Sequence, residues 1–169
     1  MQFTFCPDCG GRLIKKSIGD EGEIPFCESC GRPWFSFSYP CVICLLTDGA
    51  GNYALIRQTY ATKNYVCVAG FIKEQETAEQ TAAREICEET GLEVLNMRYV
   101  GSYYYPKHDN LMLGYLCTVK RGAFRLSGEV ERAGWFGLEE TRELLSHGTV
   151  GKELLRDSLK QGTQKGWFI

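Results

Sequence analysis

Three glutamates, Glu85, Glu88 and Glu89, stand at offsets of three and four within the segment TAEQTAAREICEET. If that segment is helical, these offsets put the carboxylates on one side. Three like charges so close lower helix stability unless something positive neutralises them. Hard divalent cations such as Mg2+ take oxygen ligands of this kind, and a pyrophosphate would complete their coordination. A second set is Cys6-Pro-Asp-Cys9-Gly-Gly and Cys27-Glu-Ser-Cys30-Gly, with residues 10–26 between the pairs. That spacing belongs to structural zinc sites. Two residues between thiols let the backbone turn so that both sulfurs face one ion, and the following glycines tolerate the φ > 0 such turns often need. Four sulfurs fill a tetrahedral shell and leave no position for catalytic water, so this zinc reads as structural. The alternative is four reduced cysteines in a loop.

These residues need elements to hold them. Thr77 with Gln80 fits a capping box, and Gly91 fits the glycine that ends a helix. Ala78, Ala82, Ile86 and Cys87 supply an apolar face at helical spacing. Residues 41–46 and 53–58 read as strands joined by the turn Asp48-Gly49-Ala50-Gly51-Asn52, and Tyr65 to Ala69 as another strand ending at Gly70. Cys41 and Cys44 lie in an apolar run that alternates like a buried strand. With Cys67, Cys87 and Cys117 they are expected to pack rather than react. The first forty residues offer little core, so metal binding would supply their folding energy.

The bulk properties set limits. A chain of 169 residues accommodates one catalytic domain plus a short appendage. Apolar residues at 44% and charged residues at 24% are those of a globular protein. The longest apolar run, Cys41 to Leu46, is too short to span a bilayer, so no membrane role is expected. The start MQFTFCPDCG has neither a basic head nor an apolar core, and a cytoplasmic location is expected. Nine cysteines, an odd number, with four in Cys-x-x-Cys pairs, favour metal over disulfides. A net charge of −2 does not favour broad, charge-driven nucleic-acid binding. Arg12, Lys15 and Lys16 are offset by Asp20, Glu21 and Glu23.

The run Gly70-x5-Glu76-x7-Arg84-Glu85-Ile86-x-Glu88-Glu89-x-Gly91-Leu92 resembles the Nudix box at every specified position. Seven of those positions demand one residue type, and the joint chance is about 10⁻⁸ per starting position at ordinary composition. The resemblance implies an α+β protein: a small N-terminal four-cysteine zinc ribbon, residues 1–36, followed by a Nudix α/β/α sandwich with a mixed sheet, residues 37–169. It implies that the Gly70 carbonyl, Glu85, Glu88 and Glu89 bind Mg2+ or Mn2+, with one of the three glutamates as general base. Glu76 and Arg84 would brace the loop against the helix. Glu129, with Glu131 as the fallback, would complete the metal site. A four-cysteine ribbon, with Cys6, Cys9, Cys27 and Cys30 on Zn2+, ahead of such a domain resembles the NADH pyrophosphatase subfamily, which also removes NAD caps from RNA. The likeness includes Tyr39-Pro40-Cys41, Ala69-Gly70-Phe71 and Gly148-Thr149-Val150.

This implies hydrolysis of a nucleoside diphosphate linked to another moiety, a dinucleotide such as NADH, ADP-ribose or FAD, and a homodimer. Alternatives are a modified nucleoside triphosphate, NAD-capped RNA, or a non-catalytic nucleotide sensor; retention of every box carboxylate argues against the sensor. Phe71, Trp34 and Phe35 are candidates to stack on a base or else to pack in the core. The chain departs from the subfamily's Ser-Gln-Pro-Trp-Pro-Phe-Pro-x-Ser motif, with Ser102-Tyr103-Tyr104-Tyr105-Pro106-Lys107-His108-Asp109-Asn110 in its place. In that run Tyr103, Tyr105, Lys107 and His108 are candidate substrate contacts. A position often alanine near the adenine site is Gly151 here.

Overall fold

A computed structural model describes residues 3–60 and 63–163. The outermost residues of the two expected domains, 1–2 and 164–169, lie outside the described residues. The chain divides into two compact units, Met1–Tyr39 and Pro40–Ile169.

In the first unit, β1 (Ile14–Ser17), β2 (Glu23–Cys27) and β3 (Arg32–Pro33) form an antiparallel sheet in which Ile14 pairs with Phe26 and Cys27 with Arg32. Each cysteine pair closes the same turn. Gly10 N–H donates to Cys6 O at 2.8 Å and Gly31 N–H to Cys27 O at 2.9 Å. Gly10 and Gly31 have φ of 72° and 66°, a region only glycine adopts freely. Among this unit's described residues, the buried apolar side chains are Cys6 and Cys27 alone.

The second unit holds β4 (Tyr39–Thr47), β5 (Asn52–Gln58), β6 (Val68–Phe71), α1 (Ala78–Thr90), β7 (Val94–Tyr105), β8 (Asn110–Val119), β9 (Val130–Gly137), α2 (Leu138–Leu144) and α3 (Thr149–Thr163). The sheet runs β7-β8-β4-β5-β9, with β6 paired to β4. It is mixed. Most pairs are antiparallel, but Cys41 meets Leu111 near the start of β4 and β8, and Gly49, just past the end of β4, lies against Thr118 near the end of β8, so these two run parallel. Parallel central strands are covered on both faces, and β4 is buried from Cys41 to Thr47. Its alternation sends Val42, Cys44 and Leu46 to one core with Ala82 and Ile86 of α1. Ile43 and Leu45 go to a second core with Leu145 and with Val150, Leu154 and Leu155 of α3. Helices therefore cover both faces, as the sandwich expectation requires.

Helix α1 begins at the capping box, with Thr77 Oγ1 accepting from Gln80 N–H at 3.2 Å and Gln80 Oε1 accepting from Thr77 N–H at 2.8 Å. It ends at Gly91 with φ 69°. Two local expectations need correction. Cys87 is exposed, because successive residues are turned by about 100° and the stripe toward the sheet runs through Ala82, Ile86 and Glu89. The third strand starts at Val68, not Tyr65, and runs through Gly70 to Phe71. Val66 still bridges Ile56 of β5, whereas Val68–Phe71 pair with β4, so the segment changes partner at Cys67.

Candidate active site

Strand β6 alternates as a strand must. Ala69 joins the core beneath α3, and Gly70 faces α1. A Cβ on Gly70 would lie 2.0 Å from Cδ of Glu85, so the strand backbone approaches that carboxyl as only glycine allows. From the loop, Glu76 forms a two-pronged pair with Arg84, Nε to Oε1 at 2.7 Å and Nη2 to Oε2 at 2.8 Å. Glu76 also accepts from Thr81 Oγ1 at 2.8 Å and Lys73 N–H at 3.3 Å. The Arg84 guanidinium chiefly holds the Glu76 carboxyl down at about 2. Arg84 has further reach: Nη1 to Glu85 Oε1 at 2.6 Å and Glu88 Oε2 at 3.1 Å, and Nη2 to the Phe71 carbonyl at 3.3 Å. One cation thus ties loop, strand end and helix together.

Glu89 has no such relief. It is 4% exposed, and its Oε2 is buried without a hydrogen-bond partner. Burial, then the charges of Glu85 and Glu129, push its pKa up to about 8; a Gln58 hydrogen bond opposes this. Glu85, Glu88, Glu89 and Glu129 line one cavity of about 540 Å³, with Lys73, Arg84, Ser127 and Gly128. Glu131 turns away and pairs with Arg57 at 2.6 Å. Oxygen donors, one of them unpartnered, fit a hard dication.

A second cavity of about 500 Å³ lies under α3, where Tyr105, Lys107 and His108 meet Gln58, Asn110 and His147. Tyr103 departs from its expectation as a substrate contact. It is 8% exposed, its ring packs against Gly114, and its hydroxyl donates to Asp157 Oδ2 at 3.3 Å, so it is a core residue joining β7 to α3. Phe71 is 56% exposed at the end of β6. Trp34 and Phe35 belong to the first unit, where Trp34 stacks edge-on against Phe3 and beneath Arg32, and Phe35 is exposed.

The sulfurs of Cys6, Cys9, Cys27 and Cys30 all lie within 4.8 Å of one another, the one such set among the described residues. Burial opposes ionisation of Cys6, but hydrogen bonds from the Cys9 and Asp8 backbone and the Cys27 thiol outweigh it and leave the pKa at about 6. Hydrogen bonds with Cys9 and Cys27 push Cys30 up to about 12. A dication would hold these sulfurs as thiolates, so its binding would release their protons.

The NUDIX domain profile matches residues 38–157. The chain belongs to the Nudix family. Over 158 residues it is 30% identical to the NAD-capped RNA hydrolase NudC of Vibrio cholerae, covering 93% of this chain and 58% of that protein. It therefore spans under two thirds of that relative's length. A crystal structure of a NUDIX hydrolase from Nitrosomonas europaea superposes with a TM-score of 0.77 at 22% identity, covering 96% of this chain and 94% of that one. The NUDIX domain of Shewanella oneidensis NrtR complexed with ADP ribose superposes with a TM-score of 0.65 at 15% identity, covering 80% and 93%. Both show the Nudix fold.

Three residues that line or border these cavities carry no motif in the sequence. Gln58 closes β5 next to Glu89 and lines the second cavity. Tyr60 reaches Glu129 Oε2 at 3.4 Å. Asn110 opens β8 with a buried, unpartnered Oδ1. Each comes from an element distant from the box, and no spacing could have announced them.

Proposed function

We propose that the protein hydrolyses the pyrophosphate bond of a nucleoside diphosphate linked to another moiety, a dinucleotide such as NADH, ADP-ribose or FAD, and releases a nucleoside monophosphate. The observation that carries this is the convergence of Glu85, Glu88, Glu89 and Glu129 on one cavity where the buried Oε2 of Glu89 has no hydrogen-bond partner among the described residues. The Gly70 carbonyl and these four carboxylates would hold Mg2+ or Mn2+. Such ions, when bound, acidify water and neutralise charge on the bridging and non-bridging oxygens. One of Glu85, Glu88 or Glu89 accepts the proton of the attacking water. Arg84 and Glu76 keep loop and helix in register, so the carboxylates stay aimed at the cavity. Cys6, Cys9, Cys27 and Cys30 would hold a structural Zn2+ in a ribbon over residues 1–36, ahead of the hydrolase domain at 37–169. A homodimer in the cytoplasm belongs to the same reading.

The name of the Vibrio cholerae relative, an NAD-capped RNA hydrolase, favours a second reading, removal of NAD from capped RNA. It involves the same bond with a larger leaving group. The test is a product assay with Mg2+ or Mn2+ across NADH, NAD+, ADP-ribose, FAD, diadenosine polyphosphates, nucleoside triphosphates and NAD-capped RNA. Nucleoside monophosphate released from a dinucleotide is the expected result. Turnover of triphosphates alone, or of nothing, overturns the proposal, and a strong preference for capped RNA selects the second reading.

A further inference from the structure

Two cations line the acidic cavity, and they are differently engaged. The Arg84 guanidinium is committed to carboxylates, at 2.7 Å from Glu76, 2.6 Å from Glu85 and 3.1 Å from Glu88. Lys73 lines the same cavity, yet it pairs with no acid among the described residues. Neutralising the carboxylates is therefore the work of Arg84. A second positive charge beside them opposes the binding of a dication unless an anion arrives with it.

The backbone at Lys73 is fixed by the same residues that brace the loop. Just past β6, Glu76 N–H donates to Lys73 O at 3.1 Å and closes a four-residue turn. In return, Lys73 N–H donates to Glu76 Oε2 at 3.3 Å. Third in that turn, Gln75 has a φ of 65°, a left-handed conformation that is costly for a residue other than glycine. Such strain persists where the surroundings over-determine it, and it concentrates at functional sites. Here it holds the root of the Lys73 side chain at the cavity wall, while the side chain stays exposed rather than packed. A fixed root and an uncommitted ammonium suit a ligand that brings its own negative charge.

We propose that Lys73 is a catalytic residue that holds a non-bridging oxygen of the substrate's diphosphate. The contact is a charge-assisted hydrogen bond. As water adds to one phosphorus, the bridging P–O bond breaks and its electron pair leaves with the other phosphate. The ammonium offsets that growing charge without itself reacting. The inference rests on reading the acidic cavity as a pyrophosphatase site.

The test is calorimetric binding of α,β-methylene-ADP, whose P–C–P bridge resists hydrolysis, in saturating Mn2+. Lys73→Met should weaken it by roughly ten- to a hundredfold, the scale of one hydrogen bond to a charged group. Lys73→Gln, a second neutral variant, should behave alike, and thermal unfolding checks that each is folded. Lys73→Arg keeps the charge and should bind within a few-fold of wild type. Mn2+ titrated without nucleotide should bind the neutral variants as tightly as wild type or more tightly, since a positive charge has left the cavity. A residue that merely supported the carboxylates would weaken Mn2+ binding when replaced. Equal binding of α,β-methylene-ADP by wild type and folded neutral variants, or none by wild type, overturns the proposal. So does weakened Mn2+ binding in the neutral variants, or a Lys73→Arg protein as impaired as Lys73→Met. Dinucleotide hydrolysis with unchanged kcat/KM in the neutral variants sinks this inference alone. Lys73-dependent binding of α,β-methylene-ADP without hydrolysis of any dinucleotide sinks the proposed function alone.

Discussion

Glu89 and Glu131 are both acids near the same cavity, yet their surroundings make opposite demands. Glu131 is half exposed against Arg57, and a surface pair of that kind contributes about 0–1 kcal/mol. Glu89 is buried with an oxygen that no described residue satisfies. Glu89→Gln or Glu88→Gln should therefore cut turnover by about a hundredfold or more, beyond the roughly 10–100-fold typical of outer partners. Glu131→Gln should stay within a few-fold of wild type. Steady-state kcat with ADP-ribose and Mg2+ checks both, and equal losses at Glu89 and Glu131 would defeat the assignment. Arg84 makes a sharper case. Its planar fork serves Glu76, Glu85, Glu88 and the Phe71 carbonyl together, and lysine offers one point charge. Arg84→Lys should lose on the order of 10–100-fold in kcat, and wild-type kcat in that variant would show that the fork is dispensable.

At the scale of elements, the contact between β6 and α1 sets the site, and Gly70 tests it. The group its missing Cβ would strike is the carboxyl end of Glu85, which can swing aside while the backbone stays. Gly70→Ala should thus abolish most activity with only a small change in Tm. A large fall in Tm with full activity per folded molecule would refute this. The turn between β4 and β5 shows a carboxylate in a purely structural role. Asp48 accepts from Ala50 N–H at 2.8 Å, from Asn52 backbone and side chain, and from Arg121 at 2.7 Å. Burial would raise its pKa, but these hydrogen bonds outweigh it and hold the group at about 2. The folded value lies below the unfolded one of about 3.9, so the stabilisation is whole above pH 4 and fades as pH falls toward 2. Asp48→Asn should lower Tm at pH 7, and the gap to wild type should close below pH 4. A gap constant from pH 7 to pH 3 would contradict that account. The same elements show what a sequence displays. Helix α1 was legible from both ends because Thr77, Gln80 and Gly91 act within a turn of themselves. The start of β6 was misplaced because Val66 and Val68 pair with different strands, a choice made by tertiary contacts. The sequence does not separate Glu129 from its fallback Glu131, because alternation fixes sides only inside a strand and β9 begins at Val130, after Glu129.

Over the whole molecule, the two units owe their stability to different things. Residues 40–163 have two cores on either face of a buried sheet, which their sequence displays as alternation along β4. The second cavity was not legible, since Gln58, Tyr105, Asn110, His147 and Gly151 gather from β5, β7, β8, the turn before α3, and α3. The first unit is the reverse. Its four cysteines were visible in spacing alone, yet among its described residues nothing apolar is buried beyond Cys6 and Cys27. Without a metal such a segment has little to offset the entropy of ordering its chain. The purified protein should therefore contain about one zinc per chain, the stoichiometry of a four-thiolate site. Cys6→Ser should remove that zinc, because three remaining thiols leave the tetrahedral shell open. Limited proteolysis should then cut the variant within residues 3–39 while the fragment from Pro40 onward resists, and the intact wild type should resist throughout. Zinc-free wild type that takes up none on addition, or a variant as resistant as wild type across those residues, would show that the first unit stands without metal.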